Sequence, residues 1–221
     1  MRPSQVGLGY TPQAMRRRMQ RRPRAGQKGV ASTRWILASA SPRRARILES
    51  LGVAHEIRVP RVDECIAQAE EPGAAAKRLA RAKAVCVTAR AGVVVLAADT
   101  VVVVDGSILG KPRSGIDAVR MLQRLSGREH EVVTGVCLRF GGRSLVGCER
   151  TRVRFARLTR ADARWYVRTG EPMDKAGAYH VDGIGALFVT AIHGSPSNVE
   201  GLPVGLLRRL ARRAGLRLGP A

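Results

Sequence analysis

The scarcities of this 221-residue chain set the first limits on it. Aromatic residues make up 4%, so the core must be built from Val, Leu, Ile and Ala; at 45% hydrophobic content these suffice for one domain, with or without appendages. Its four cysteines, Cys65, Cys86, Cys137 and Cys148, show no C-x-x-C spacing and have no histidines at zinc-finger distance. That pattern indicates neither a metal knuckle nor a disulfide framework, and it fits a reducing, cytoplasmic setting. No apolar run approaches the roughly 18 to 20 residues that span a bilayer, so no membrane association is expected. Arg16-Arg17-Arg18 would suit an export signal, but no apolar stretch follows it. There is no internal repeat. Acids are scarce too: 17 Asp and Glu stand against 39 Lys and Arg, giving a net charge of +22. The basic residues are 34 Arg and only five Lys, a bias that GC-rich coding explains as well as function does. The charge implies affinity for anions without choosing among nucleotides, nucleic acid and acidic membranes.

Residues 1–33 hold eight of the basic residues and no acid, with scattered Pro, Gly and Gln. Such a segment cannot bury a core, and the expectation is a disordered, Arg-rich N-terminal extension. A nucleic-acid or membrane tether, a targeting segment, and a leader translated from too early a start (Met15 and Met19 being alternatives) are all compatible with it. Residues 34–221 are expected to form the folded domain.

From Trp35 the pattern alternates between strands and helices. A short apolar strand ends at Ala38, and a helix is expected over Pro42 to Leu51, stopped by Gly52, with Ser41 as N-cap. Ala54 to Val59 reads as a strand and Pro72 to Ala91 as an Ala-rich helix. Val93 to Ala98 reads as a strand buried on both faces, and Val101 to Val104 as its sequel. Ser114 opens a helix that buries Leu122 and Leu125. Val132 to Phe140 and Leu145 to Phe155 form a hairpin around Gly141-Gly142, and Thr159-x-x-Asp162 caps a helix to about Arg168. A strand from Ala186 to Ile192 and an amphipathic helix over Leu202 to Ala214 complete a mixed α/β sheet covered by helices.

Four stretches carry candidate chemistry. Arg43 and Arg44 fall in the first turn of a helix, where the free amides and the macrodipole already make the potential positive. They are either a solvated pair or half of an anion site. Asp99 interrupts about ten apolar residues; a buried carboxylate needs a cation, a metal or neutralisation, unless Asp99-Thr100 is a tight turn. With Glu64 it would suit a divalent cation such as Mg²⁺. Lys83 and Lys111 are surface charges or, with the arginines, a clamp for a polyphosphate. The stretch from Thr169 to Tyr179 is an irregular loop or a place where backbone approaches a ligand and Tyr179 stacks on a base. His55, His130, His180 and His193 have no metal-like spacing, and Gly194-Ser195-Pro196-Ser197 lacks the second glycine of a nucleophile elbow.

Taken in order, several segments resemble the Maf family of nucleoside triphosphate pyrophosphatases. They include Leu37 to Arg44, Val62-Asp63-Glu64, Ala82-Lys83-Ala84, Ala98 to Val101 and Gly110-Lys111-Pro112. Leu125 to Arg128 with His130, Thr134-Gly135-Val136, Gly170-Glu171-Pro172, Asp174 to Tyr179 and Val199 to Pro203 continue the match. The resemblance implies an inosine triphosphatase-like fold, with an elongated mixed sheet, a cleft between two lobes, and a homodimer. It also implies hydrolysis of a nucleoside triphosphate to the monophosphate and pyrophosphate with Mg²⁺, Mn²⁺ or Co²⁺. By position, Asp99 would accept the proton of water and share the metal with Glu64. Ser39, Ser41, Arg43, Arg44, Lys83 and Lys111 would hold the triphosphate, while Arg43, Thr100 and Asp182 would tell bases apart. Arg43 and Thr100 match the branch that takes dTTP and UTP, where glutamine stands at position 182. An acid there resembles the 7-methyl-GTP branch. An ionised Asp only accepts hydrogen bonds, whereas a glutamine amide also donates. The expectation is a pyrimidine-triphosphate enzyme. The alternatives are a 7-methyl-GTP enzyme and a non-catalytic division regulator or nucleic-acid binder, with any nucleic acid held by the basic tail.

Overall fold

The computed structural model describes residues 33–67 and 69–218. The disorder expected of residues 1–33 therefore falls, apart from Thr33, outside the described residues. Strand β1 (Arg34–Leu37) leads through Ser41 into helix α1 (Pro42–Ser50), and Gly52, at φ 69°, takes the left-handed conformation that releases the chain from that helix. Strand β2 (His55–Ile57) is shorter than expected, and a loop carries the chain to helix α2 (Pro72–Cys86). Strand β3 (Val93–Val104) runs unbroken for 12 residues, so Asp99-Thr100 is not a turn. Strand β4 (Ser107–Leu109), helix α3 (Gly115–Leu125) and the long hairpin of β5 (Glu129–Phe140) and β6 (Arg143–Phe155) follow. Gly141 and Gly142, both at positive φ, make its two-residue turn. Helix α4 (Arg160–Arg168), strand β7 (Val189–His193), the short α5 (Pro196–Val199) and α6 (Val204–Arg213) end the fold.

The seven strands form one mixed sheet in the order β2-β1-β3-β5-β6-β7, with β4 beside the far half of β3. Strands β1 and β2, and β1 and β3, are parallel; the other pairs are antiparallel. One edge of β3 is therefore covered twice, by β1 along Val93 to Leu96 and by β4 along Val102 to Val104. Between them lies a gap at Asp99 and Thr100. It opens beyond the carboxyl end of β1, where open α/β sheets leave a crevice.

Successive side chains of a strand point to opposite faces. On one face, α1 and α6 bury Leu48, Leu207 and Leu210 against Trp35, Leu37, Leu96 and Leu138. Farther along that face, α3 and α4 bury Leu122 and Tyr166 with Val102, Val104 and Phe155. Thr100 lies between these two groups of helices. On the opposite face, α2 lays Ala80 and Ala84 on Ile36, Val95 and Ala97, and Asp99 points toward this side. Among the described residues no helix is long and apolar enough to cross a membrane.

Two expected boundaries and one side-chain role need correction. Helix α2 stops at Cys86, not Ala91: Val87 turns extended, and the Arg139 guanidinium bonds the carbonyls of Ala84 and Val87, which satisfies the helix end. Gly92 lies in the turn entering β3, at φ 80°. Residues Ile184–Phe188 form a 3-10 turn, and only Val189–His193 pairs in the sheet. Tyr179 does not stack in the cleft. It is 5% exposed, packs edge-on against Phe155 at 4.8 Å, and its hydroxyl bonds His130 Nε2 at 2.9 Å.

Candidate active site

The gap on β3 opens into a cleft of about 580 Å³. Two groups of side chains reach it from opposite faces of the strand. Asp99 lies on the α2 face, 6% exposed, and its Oδ1 accepts from Lys83 Nζ at 2.5 Å. The same ammonium lies 2.7 Å from Glu64 Oε1, which comes from the loop after β2. Lys83, in the last turn of α2, thus joins two carboxylates drawn from different segments. Burial opposes ionisation of Glu64, but Lys83, backed by Lys111 and Arg44, overcomes this and holds its carboxyl below the usual carboxylate range.

On the other face Arg44 folds back from the first turn of α1. Its Nε donates to Gly201 O at 2.8 Å, Nη1 to Ser39 Oγ at 3.0 Å and Nη2 to Thr100 Oγ1 at 3.1 Å. Thr100 Oγ1 lies 3.0 Å from Thr134 Oγ1, and Thr134 donates to Asn198 O at 3.1 Å. A hydroxyl donates once, so the chain has one direction, Arg44 to Thr100 to Thr134 to the Asn198 carbonyl. Burial lowers the Arg44 pKa, Asp99 counteracts this, and a guanidinium stays charged in any case. Three of its five N–H groups are used internally; one on each terminal nitrogen is left for a ligand. Ser39 Oγ accepts a second bond from Ser41 N at 3.1 Å, which holds the loop between β1 and α1. Ser41 sits at the N-cap of α1 without a side-chain capping bond, and no acid lies in the first turn. Its helix start therefore keeps free amides toward the cleft, a ready anion site.

Of the residues expected to act, Ser39, Ser41, Arg43, Arg44, Glu64, Lys83, Asp99, Thr100 and Lys111 all line this one cleft. Lys83 is engaged with the two acids rather than open to a phosphate, and Thr100 is bound within the arginine network. Lys111 is exposed and without an ion pair among the described residues. Asp182 does not join them: it is exposed and lies outside the lining, although its neighbours His180 and Val181 are part of it.

Three further lining residues have no individual site role in the sequence reading. Glu200 and His180 are half-buried there, and Asp174 pairs with Lys175 at the wall. The segment that carries His180 is set by Glu171, whose carboxylate accepts from the Tyr166 hydroxyl at 2.6 Å and from the amides of Ile184 and Gly185, both at 3.0 Å. Tyr166 also accepts from the His180 amide at 3.1 Å. This ties the glycine-rich stretch to α4 and shapes the wall opposite α1. A lone Glu before a glycine, or a His in a loop, carries no local signal for any of this.

The model of the family described as Maf-like protein matches residues 34–214. The chain belongs to the Maf family. Every residue lining the cleft falls within the Maf match. Among Maf relatives, the chain is 52% identical over 187 residues to the dTTP/UTP pyrophosphatase of Anaeromyxobacter sp. (strain Fw109-5), covering 82% of this chain and 90% of the relative. It is 51% identical over 170 residues to the protein of that name from Symbiobacterium thermophilum, covering 76% and 88%. It is 50% identical over 190 residues to that of Anaeromyxobacter dehalogenans (strain 2CP-C), covering 84% and 96%.

Proposed function

We propose that this chain hydrolyses dTTP and UTP, releasing the nucleoside monophosphate and pyrophosphate. The observation that carries the reading is the division of labour across β3, with an acid centre of Asp99, Glu64 and Lys83 on one side and the Arg44 network on the other. A triphosphate laid along the cleft meets the free amides of α1, the remaining N–H groups of Arg44 and the Lys111 ammonium. These neutralise its charge and hold the α–β anhydride beside Asp99. Asp99 then accepts a proton as water adds to phosphorus; the α–β P–O bond breaks and pyrophosphate leaves with the bonding pair. The similarity to dTTP/UTP pyrophosphatases supports this substrate class.

The acid centre fits a divalent cation. Two carboxylates already converge on one ammonium, which marks a place of cation attraction. Among the described residues no group of three or more His, Cys, Asp or Glu gathers to form an all-protein cage. A two-carboxylate donor set completed by water and substrate phosphate is how Mg²⁺ is usually held. Asp99 and Glu64 would hold it, and when bound it would spread the charge developing on the phosphates. The assembly proposed is a homodimer in the cytoplasm, checked for the purified chain by light scattering.

The test is a panel of nucleoside triphosphates with Mg²⁺, Mn²⁺ or Co²⁺, assaying pyrophosphate and orthophosphate separately. Pyrophosphate should appear first, fastest from dTTP and UTP, and Asp99→Asn should lower kcat by about a hundredfold or more. Orthophosphate as first product, or an unimpaired Asp99→Asn, would sink the reading.

A further inference from the structure

Two charges of opposite sign line the cleft without a side-chain partner among the described residues. Among the described residues neither the Arg43 nor the Glu200 side chain makes a hydrogen bond or ion pair. No ion pair joins them; burial pushes the Glu200 carboxyl up, and Glu200 also feels Asp182 and Arg46. Their nearer alternatives are engaged: Arg44 serves Gly201, Ser39 and Thr100, and Asp174 serves Lys175. Glu200 is fixed at its backbone by the amide bond to Pro196 O at 3.1 Å, and Gly201, next in the chain, packs on Thr100 and Arg44.

A free carboxylate in a cleft for a triphosphate would repel the phosphates, so it belongs where the ligand offers N–H groups instead. A base edge carrying a carbonyl beside a ring N–H presents an acceptor and a donor side by side, which is what a guanidinium and a carboxylate held apart can bridge. We infer that Glu200, not Asp182, accepts the ring N–H of the base while Arg43 donates to the neighbouring carbonyl. Uracil and thymine have this edge. Cytosine and adenine carry an amino group beside a bare ring nitrogen, the reverse order. Guanine shares the carbonyl and N–H, so Glu200 sorts bases by edge chemistry and not by size. This reading rests on the pyrophosphatase proposal, and it accounts for an acid standing at position 182 without cost to pyrimidine recognition, because Asp182 is exposed and off the lining.

The experiment compares UTP with N3-methyl-UTP, which lacks the ring N–H, by calorimetric binding and by kcat/KM, in the wild type and in Glu200→Ala, Glu200→Gln and Asp182→Asn. A hydrogen bond to a charged group predicts that the wild type favours UTP by roughly tenfold to a hundredfold. Glu200→Ala should lose UTP by a similar factor and bring the ratio close to one, Glu200→Gln should fall between, and Asp182→Asn should keep the wild-type ratio. The isosteric Gln variant serves if the Ala variant misfolds. A wild-type ratio retained in both Glu200 variants, or collapsed in Asp182→Asn, overturns the inference. Selective UTP binding without pyrophosphate release would leave the inference standing and remove the hydrolytic reading instead.

Discussion

Lys83 is the residue on which the acid centre depends. Its ammonium is the shared partner of Asp99 and Glu64, and removing one member of a largely buried ion pair leaves the other charge uncompensated. Lys83→Met should destabilise the protein by about 3 kcal/mol in urea unfolding, and dTTP turnover should fall with it. His130 offers a second test. Burial alone depresses its pKa from the ordinary 6.5 to about 4, while Nε2 faces the Tyr179 hydroxyl and Nδ1 has no partner. Between these values the unfolded chain binds a proton that the folded chain does not, so stability is fully present above about pH 6.5 and declines as pH falls toward 4. The loss amounts to about 3 kcal/mol at most. Urea midpoints from pH 7 to 4.5 should therefore fall more steeply in the wild type than in His130→Gln, whatever the variant's absolute stability.

At the scale of elements, α2 can present Lys83 to Asp99 only because it lies unusually close to the sheet. Gly135, directly opposite Asp99 on β5, makes the approach possible: a Cβ there would sit 2.2 Å from the Ala76 carbonyl oxygen. Its backbone φ is not left-handed, so the constraint is space. Gly135→Ala should force α2 outward, costing about 3 kcal/mol in thermal unfolding as overpacking does. Activity should fall further than stability accounts for. An intact melting temperature with unchanged turnover would show that α2 has room to move. The capped helices and the hairpin were legible in sequence because their signals are local. Thr159 and Asp162 form the reciprocal capping box, and Ser114 Oγ accepts from the Asp117 amide at 3.2 Å. The end of α2 was not legible: Ala and Val beyond Cys86 suit a helix by pattern, while the carbonyl partner that ends it, Arg139, is 52 residues from Val87.

For the whole molecule, the +22 charge and the domain are separable questions. Strand β1 begins at Arg34, where the family match also begins. A chain starting at Thr33 should keep its melting temperature and its dTTP turnover within about twofold, since it retains the whole family match and every described strand and helix. If the basic segment binds nucleic acid, that chain should lose the steeply salt-dependent part of RNA binding measured by anisotropy. A large drop in thermal stability would place residues 1–32 in the folded domain and correct the proposed division at 33/34.

The sequence by itself determined the mixed α/β class, the long buried strand with Asp99 inside it, and the family, because periodicity, caps and ordered motifs are written along the chain. Tertiary structure alone decided the company each candidate keeps. Lys83 meets Asp99 across 16 residues and Arg44 meets Thr100 across 56, because β3 is covered by β1 at one end and β4 at the other, with its acid in the gap. Tyr179, flanked by a loop that reads as open, turns inward to His130 and Phe155. Glu200, in the sequence only one position of the Val199 to Pro203 segment, lines the same cleft as Arg43. Side-chain partners of this kind depend on which faces of distant elements pack together, and no local pattern encodes that.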